Sequence, residues 1–288
     1  MAYSLGPFAE VGLDASLLGA LLEDHARRRV PGMQRLWGYY RNALREDETG
    51  RMRVWQERGL PARFKRRKRG SDDRDDQKER VVENDIAWRV HAMVDFMFGR
   101  PVTVASTAED GARRREIGRV LDGVWEASGG IALLQDMALL GAVYGHVDLL
   151  LRTAGREARV EVVEPTRGIP LVSGRDFRAL DAYVVRFERE TTEVTREAEP
   201  GRAGLARLGL KWRSSAQRGR EEVVEVFSAR ARQLYVDGRL REEEEHGLGA
   251  VPIAHIQNIG QPLEYEGLSE VEPLIPLQDE LNTRLSDR

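Results

Sequence analysis

The sequence of 288 residues has no cysteine and only 4 lysines beside 41 arginines. The absence of cysteine excludes a disulfide scaffold, a thiolate zinc site and a cysteine nucleophile. Long hydrophobic runs are missing too, because Gln135, Asp136, His146 and Asp148 interrupt the most apolar stretch, 131–151. A membrane span needs about 20 consecutive apolar residues. A net charge of −3 argues against a surface that grips nucleic acid everywhere. We expect a globular protein with no membrane partner.

Motifs of catalysis are missing as well. The five histidines show no pair spaced for metal binding. The sequence has no phosphate-binding loop, no dinucleotide fingerprint and no hydrolase nucleophile elbow. Its carboxylates cluster in mixed-charge runs, which are typical of solvated faces. We therefore assign no catalytic, cofactor-binding or metal-binding residue and expect no cofactor, although missing motifs do not by themselves exclude an enzyme.

The first half of the chain shows the apolar spacing of helices. Asp14 is in place to cap the first helix, and Pro31 with Gly32 is expected to end it. The predicted helices cover 14–30, 33–44, 81–98, 113–127 and 131–144. Alternating residues predict a short strand over 102–106.

Beyond Gly145 the apolar period changes to that of strands, which are predicted over 147–152, 159–163, 180–188, 221–227, 232–236 and 251–257. Asp237 and Gly238 form a typical hairpin turn. The acidic run 242–245 is expected at a solvated edge, and the Gly-, Arg- and Ser-rich residues 196–220 are expected to form a surface excursion. Helices followed by mostly antiparallel strands predict the α+β class.

A highly charged stretch, residues 63–80, is expected to be a mobile exposed loop, because it has too little apolar area to offset the entropy of ordering. It contains five consecutive cations, Lys65, Arg66, Arg67, Lys68 and Arg69. These cations could make non-specific contacts with DNA phosphates or with a partner. Acidic residues follow at once, so a simple solvated loop is the other interpretation.

The last segment opens with a capping box, Ser269 to Glu272, and continues with apolar residues at steps of three and four. This pattern predicts a helix that packs against another helix or subunit. Pro276 is expected to remove a backbone bond or to kink the axis. The residues assigned to this assembly stripe are Ser269, Val271, Glu272, Leu274, Gln278, Leu281 and Leu285.

Several segments, in this order, resemble the portal proteins of tailed bacteriophages, most closely the SPP1-like portal family. The matching segments are Leu36–Tyr40, Glu83–Ala87, Val94–Asp95, Phe98–Pro101, Gly141–Gly145, Val251–His255, Gly267–Val271, Leu277–Asn282 and Leu285–Asp287.

The resemblance implies a wing-like α+β domain over 1–266 and the start of a long stem helix over 267–288. The stem helix is expected to be truncated, and the clip, second stem helix and crown of the family have no counterpart in this sequence. The same resemblance implies a structural ring, a dodecamer at full length, at one capsid vertex of the virion, and no enzymatic activity. It is expected to be found in the host cytoplasm during assembly.

The implied partners are other copies of the chain, the terminase, scaffolding and major capsid proteins, head-completion proteins, and double-stranded DNA that passes through without specific contacts. Two alternatives remain open at this point. One is a metal-dependent DNA-processing enzyme domain, and the other is a non-viral α+β scaffold protein.

Overall fold

The computed structural model describes residues 3, 5–42, 45–46, 52–53, 56, 82–155, 157–176, 179–196 and 214–286. The helices are α1 (Ala15–Asp24), α2 (Val30–Arg41), α3 (Asp85–Phe98), α4 (Gly111–Ala127), α5 (Ile131–Tyr144) and α6 (Ile275–Ser286). The longer strands are β3 (His146–Ala154), β4 (Glu157–Val163), β5 (Gly168–Val172), β6 (Leu180–Arg196), β7 (Ser214–Phe227), β8 (Ala231–Val236), β9 (Arg239–Glu245) and β10 (Ile253–Gln257). A small hairpin consists of β1 (Arg45–Glu46) and β2 (Met52–Arg53). The predicted α+β class is confirmed.

Asp14 caps α1 as predicted, since its side chain accepts a hydrogen bond of 2.8 Å from Leu17 N. The prediction that Pro31 ends this helix is wrong. A π turn, His25–Arg29, joins α1 to α2, and Pro31 is the second residue of α2. Arg29 and Val30 keep right-handed helical φ and ψ angles, so the helical path continues through Pro31.

α3 begins at the cap residue Asn84, whose side chain accepts a hydrogen bond of 3.1 Å from Ala87 N. Its inner face, with Ile86, Val90 and Val94, is buried against α2 and α5. The strand predicted over 102–106 is wrong for the part of the chain that the structure describes. Residues 101–105 are all exposed and have no strand partner there, and alternation alone does not supply the backbone hydrogen bonds that a strand needs.

α4 and α5 meet at a bend of 62°. Among the described helices none is long and apolar enough by itself to cross a bilayer, and only this bent pair reaches the required length and composition together. α5 is buried at its C-terminal end, from Gly141 to Tyr144.

The strands form a three-stranded sheet in the order β10-β3-β4 and a five-stranded sheet in the order β5-β6-β7-β8-β9. All the pairs are antiparallel. Asp237 and Gly238 make the predicted turn between β8 and β9, both with positive φ. As predicted for the acidic run, β9 is an exposed edge strand.

The prediction of a surface excursion over 196–220 is wrong for its C-terminal part. Residues 214–220 belong to β7 and pair with β6, with Arg196 opposite Ser214. Residues 197–213 lie outside the described residues, and so does the expected loop over 63–80 with its cations Lys65 to Arg69.

Among the described residues the apolar core has three parts. The first lies between the N-terminal segment and the five-stranded sheet and includes Phe8 and Leu18. The second lies among α2, α3, α5 and the residues just before α6. The third lies between the two sheets and includes Leu150 and Phe227. The two sheets and the helices are thus packed through separate apolar clusters.

Candidate functional site

α6 is held against the rest of the chain by polar side chains on its inner face. Gln278 Nε2 donates to the Glu83 carbonyl oxygen at 2.9 Å, and Asn282 Oδ1 accepts from Glu83 N at 3.1 Å. The Tyr39 hydroxyl donates to Asp279 Oδ1 at 3.0 Å. The side chains of Gln278, Asp279 and Asn282 are all buried. Directional hydrogen bonds therefore fix the position of α6 along α2 and the start of α3.

The predicted assembly stripe is occupied largely by the chain itself. Ser269, Val271 and Gln278 are buried, Leu274, Leu281 and Leu285 are half-buried, and Glu272 is exposed. Val271 belongs to the helical core around α5. What remains open to a partner is the half-buried leucines and Glu272, and their role in assembly stays a prediction.

The capping box does not start a regular α-helix, which corrects the expected helix start. Ser269 Oγ accepts from Val271 N at 3.0 Å and from Glu272 N at 3.3 Å, and the turn that follows is a 3-10 helix, Glu272–Leu274. The α-helix begins only at Ile275. Pro276 is thus its second residue, directly after the 3-10 turn, and the predicted loss of a backbone bond or kink at Pro276 stays a prediction.

A buried carboxylate, Asp148 on β3, joins both sheets and the loop that leads to α6. Tyr265 donates to its Oδ1 at 2.8 Å and Tyr183 of β6 donates to its Oδ2 at 2.6 Å. His255 Nδ1 of β10 lies 2.7 Å from Oδ1. We call Asp148, Tyr183, His255 and Tyr265 the aspartate joint.

The electrostatics of the aspartate joint keep the carboxylate ionised. Burial would raise the pKa of Asp148, but the hydrogen bonds from His255, Tyr183 and Tyr265 outweigh it and hold the pKa below its ordinary value. His255 Nε2 lies 2.5 Å from the Tyr265 carbonyl oxygen. Both ring nitrogens of His255 thus face oxygen atoms of the joint. These hydrogen bonds fix the positions of the four side chains of the joint. No serine or threonine side chain takes part in them.

A second buried carboxylate, Glu225 on β7, holds two arginines. Arg152 of β3 donates to both carboxylate oxygens, at 3.0 and 2.6 Å, and Arg232 of β8 donates twice to Oε1, at 3.1 and 2.6 Å. Burial would raise the pKa of Glu225, but the two guanidinium groups outweigh it and lower the pKa. We call these three residues the glutamate joint. It connects the two sheets beside their shared apolar cluster.

Backbone segments lie in close contact at the C-terminal end of α5. Gly145 has φ +89°, and a Cβ there would collide with the carbonyl oxygen of Gly267. Asn258 N donates to the Gly145 carbonyl oxygen at 2.9 Å. The end of α5, the end of β10 and the segment before α6 therefore meet at one point, and only glycine fits it.

Sequence reasoning missed both joints, because their members lie 107 and 73 residues apart in the pairs His255–Asp148 and Arg152–Glu225. Within the described ranges, no group of three or more His, Asp or Glu is arranged to hold a metal ion. The cations Lys65 to Arg69 lie outside the described residues.

Comparison with protein families adds the deciding observation. The family described as phage portal protein, SPP1 Gp6-like, matches residues 20–288. The chain belongs to this family of phage portal proteins. Among curated proteins, none matches the chain. The resemblance found in the sequence is confirmed, and membership in a phage family leaves no support for the alternative of a non-viral scaffold.

As a member of the portal family, the protein has a structural role in the phage particle, at the capsid vertex of the virion. The family implies association with further copies of the same chain in a ring, and with the capsid and the terminase in general. The two joints and the polar face of α6 are the parts of this portal subunit that hold its sheets and its last helix in fixed positions.

Proposed function

We propose that this protein forms the portal ring through which double-stranded DNA enters the capsid during packaging and leaves it during ejection. The complete ring has twelve subunits, and it assembles in the host cytoplasm with scaffolding and major capsid proteins. The terminase docks on it first, and head-completion proteins dock on it later. The observation that carries this proposal is the portal-family match over 20–288.

The fold suits a part that transmits force without chemistry. A motor that pushes DNA through a ring applies mechanical force to each subunit, so each subunit must keep its shape. The aspartate joint and the glutamate joint connect the two sheets through buried charged hydrogen bonds, which are about twice as strong as neutral ones. Such joints resist sliding of one sheet over the other better than apolar packing, which has no direction.

The small net charge also favours passage of DNA through the ring over retention of the DNA in it. Each phosphate that a protein neutralises adds to its DNA affinity in a salt-dependent way. A chain with net charge −3 has no overall attraction for a polyanion, so DNA that passes through a ring of such chains would be held by few contacts.

Within the subunit, we assign residues 1–266 to the wing and 267–288 to the start of the stem helix. The hydrogen bonds of Gln278, Asp279 and Asn282 hold the inner face of α6 on the wing. Leu274, Leu281 and Leu285 are half-buried, and in the proposed ring they complete their burial against a neighbouring subunit.

Native mass spectrometry of the purified chain tests the proposal. We expect a closed oligomer with a mass of twelve subunits, and we expect plasmid DNA to stay intact when the protein is added with Mg²⁺. A chain that stays monomeric at every concentration would count against the ring. Metal-dependent cleavage that co-purifies with the protein would favour the enzyme alternative instead.

A further inference from the structure

The outward face of α3 carries apolar side chains that nothing in the described chain covers. Trp88 and Phe96 are 69% and 90% exposed, and exposed Ala92 lies between them at the same helical spacing. The opposite face of α3 is already buried in the helical core. A helix that is apolar on two faces needs a second packing partner.

This apolar surface continues past the end of α3. Met97 in the last turn of α3 is exposed, and so are Val102 and Val104 in the segment after the helix. Residues 101–105 have the alternation of a strand but no strand partner in the described part of the chain. We define surface A as Trp88, Ala92, Phe96, Met97, Val102 and Val104. The two aromatic residues alone expose roughly 300 Å², more than a third of the ~800 Å² per partner of a standard interface.

A second, different surface lies on the loop between β10 and α6. Leu263 is 76% exposed and has φ +65°, a conformation that a leucine side chain disfavours. Ile259 and Leu268 on the same loop are exposed too. Strained backbone with an exposed apolar side chain points to a contact outside the chain. We define surface B as Ile259, Leu263 and Leu268 with the adjoining groove of about 960 Å³ beside β10.

Surface A is bordered by exposed charges of both signs, Asp95 and Arg100, and surface B by the exposed anion Glu264. Arg100 lies within surface A and Glu264 lies next to Leu263, and both are exposed. Neither has an ion-pair partner in the part of the chain that the structure describes. An oligomeric ring joins two different surfaces of the same chain at every contact, and one apolar surface with a free cation matches one apolar surface with a free anion.

We infer that surface A of one subunit packs on surface B of the next subunit in the ring. This inference rests on the proposed ring function and names the partner of α3 as a second copy of the chain. Phe96 enters the groove beside β10, and Arg100 pairs with Glu264 of the neighbour.

Two aspartate substitutions and one matched control test the inference by native mass spectrometry. Phe96→Asp disables surface A, and Leu263→Asp disables surface B. Each variant alone should be monomeric under conditions where the unchanged chain is oligomeric. Both sites are exposed, and Asp tolerates the backbone at 263 better than Leu, so both should fold. Val120→Asp changes an apolar residue on α4 that is 62% exposed, and it should assemble like the unchanged chain.

Mixing the two disabled variants gives the sharpest result. Each retains one intact surface, so an equimolar mixture should form 1:1 dimers and nothing larger. A mixture that stays monomeric would overturn the pairing of A with B, and single variants that still form rings would overturn the role of both surfaces. If the unchanged chain is itself monomeric, the ring proposal fails. Protection of residues 88–104 from hydrogen exchange in that monomer would then assign surface A to another segment of the same chain.

Discussion

Replacing Glu225 by Gln keeps the shape of the side chain and removes the charge at the centre of the glutamate joint. Glu225 is 3% exposed and receives four hydrogen bonds from Arg152 and Arg232. The glutamine amide turns one acceptor into a donor that faces a guanidinium group. Removing one partner of a buried ion pair typically costs about 3–5 kcal/mol.

The expected loss of unfolding free energy is at or below the lower end of that range. The arginines retain their outer partners, Glu161 and Glu242, and glutamine still offers one acceptor oxygen. We therefore expect Glu225→Gln to lower the free energy of unfolding by about 2–3 kcal/mol. The matched control is Glu242→Gln, which removes the carboxylate of the other glutamate that pairs with Arg232. The Glu242 side chain is 59% exposed, so its loss should cost less than about 1 kcal/mol.

Urea unfolding followed by tryptophan fluorescence measures both values. All samples need one protein concentration, because assembly shifts apparent stability. Equal losses of unfolding free energy for Glu225→Gln and Glu242→Gln would refute the argument that burial makes the ion pairs of Glu225 stronger than that of Glu242.

The pH dependence gives a second, independent test of the same residue. The folded-state pKa of Glu225 lies below its ordinary value of 4.5. Its contribution is therefore fully present above pH 4.5 and is lost as the pH falls through the lower folded value. The stability gap between the unchanged chain and Glu225→Gln should narrow on acidification, and a gap that stays constant would show that the charge is not its cause.

Three further changes have defined outcomes. Phe8→Ala should cost about 3–5 kcal/mol of unfolding free energy in urea, because Phe8 is fully buried. Gly145→Ala should cost at least about 1–2 kcal/mol and lower the melting temperature, since alanine is strained at positive φ and collides with Gly267. Asp148→Asn should cost more than Tyr183→Phe in thermal unfolding, because the first change affects three hydrogen bonds to the buried carboxylate and the second removes one.

Local signals made the helices and turns predictable. Asp14 caps α1, and Asp237 with Gly238 makes a hairpin turn, because capping and turn formation depend on residues only a few positions apart. β5 escaped prediction because Pro170 interrupts its strand pattern. The structure tolerates Pro170 because β5 is an edge strand with one unpaired side.

The parts that depend on distant partners were not predictable. Alternation over 102–106 indicated a strand, but no partner strand is present in the described part of the chain. The inner face of α6 is polar because Glu83 and Tyr39 supply its hydrogen-bond partners, and apolar spacing along α6 contains no sign of them. The two joints depend on contacts between strands far apart in the sequence, so no motif marks Asp148 or Glu225.

Electron cryomicroscopy of the purified, oligomeric chain tests the central claim most directly. We predict end-on views with twelvefold symmetry, in which each subunit has the fold described above and α3 faces the loop between β10 and α6 of its neighbour. A monomeric particle, or a closed assembly in which α3 faces solvent, would contradict it.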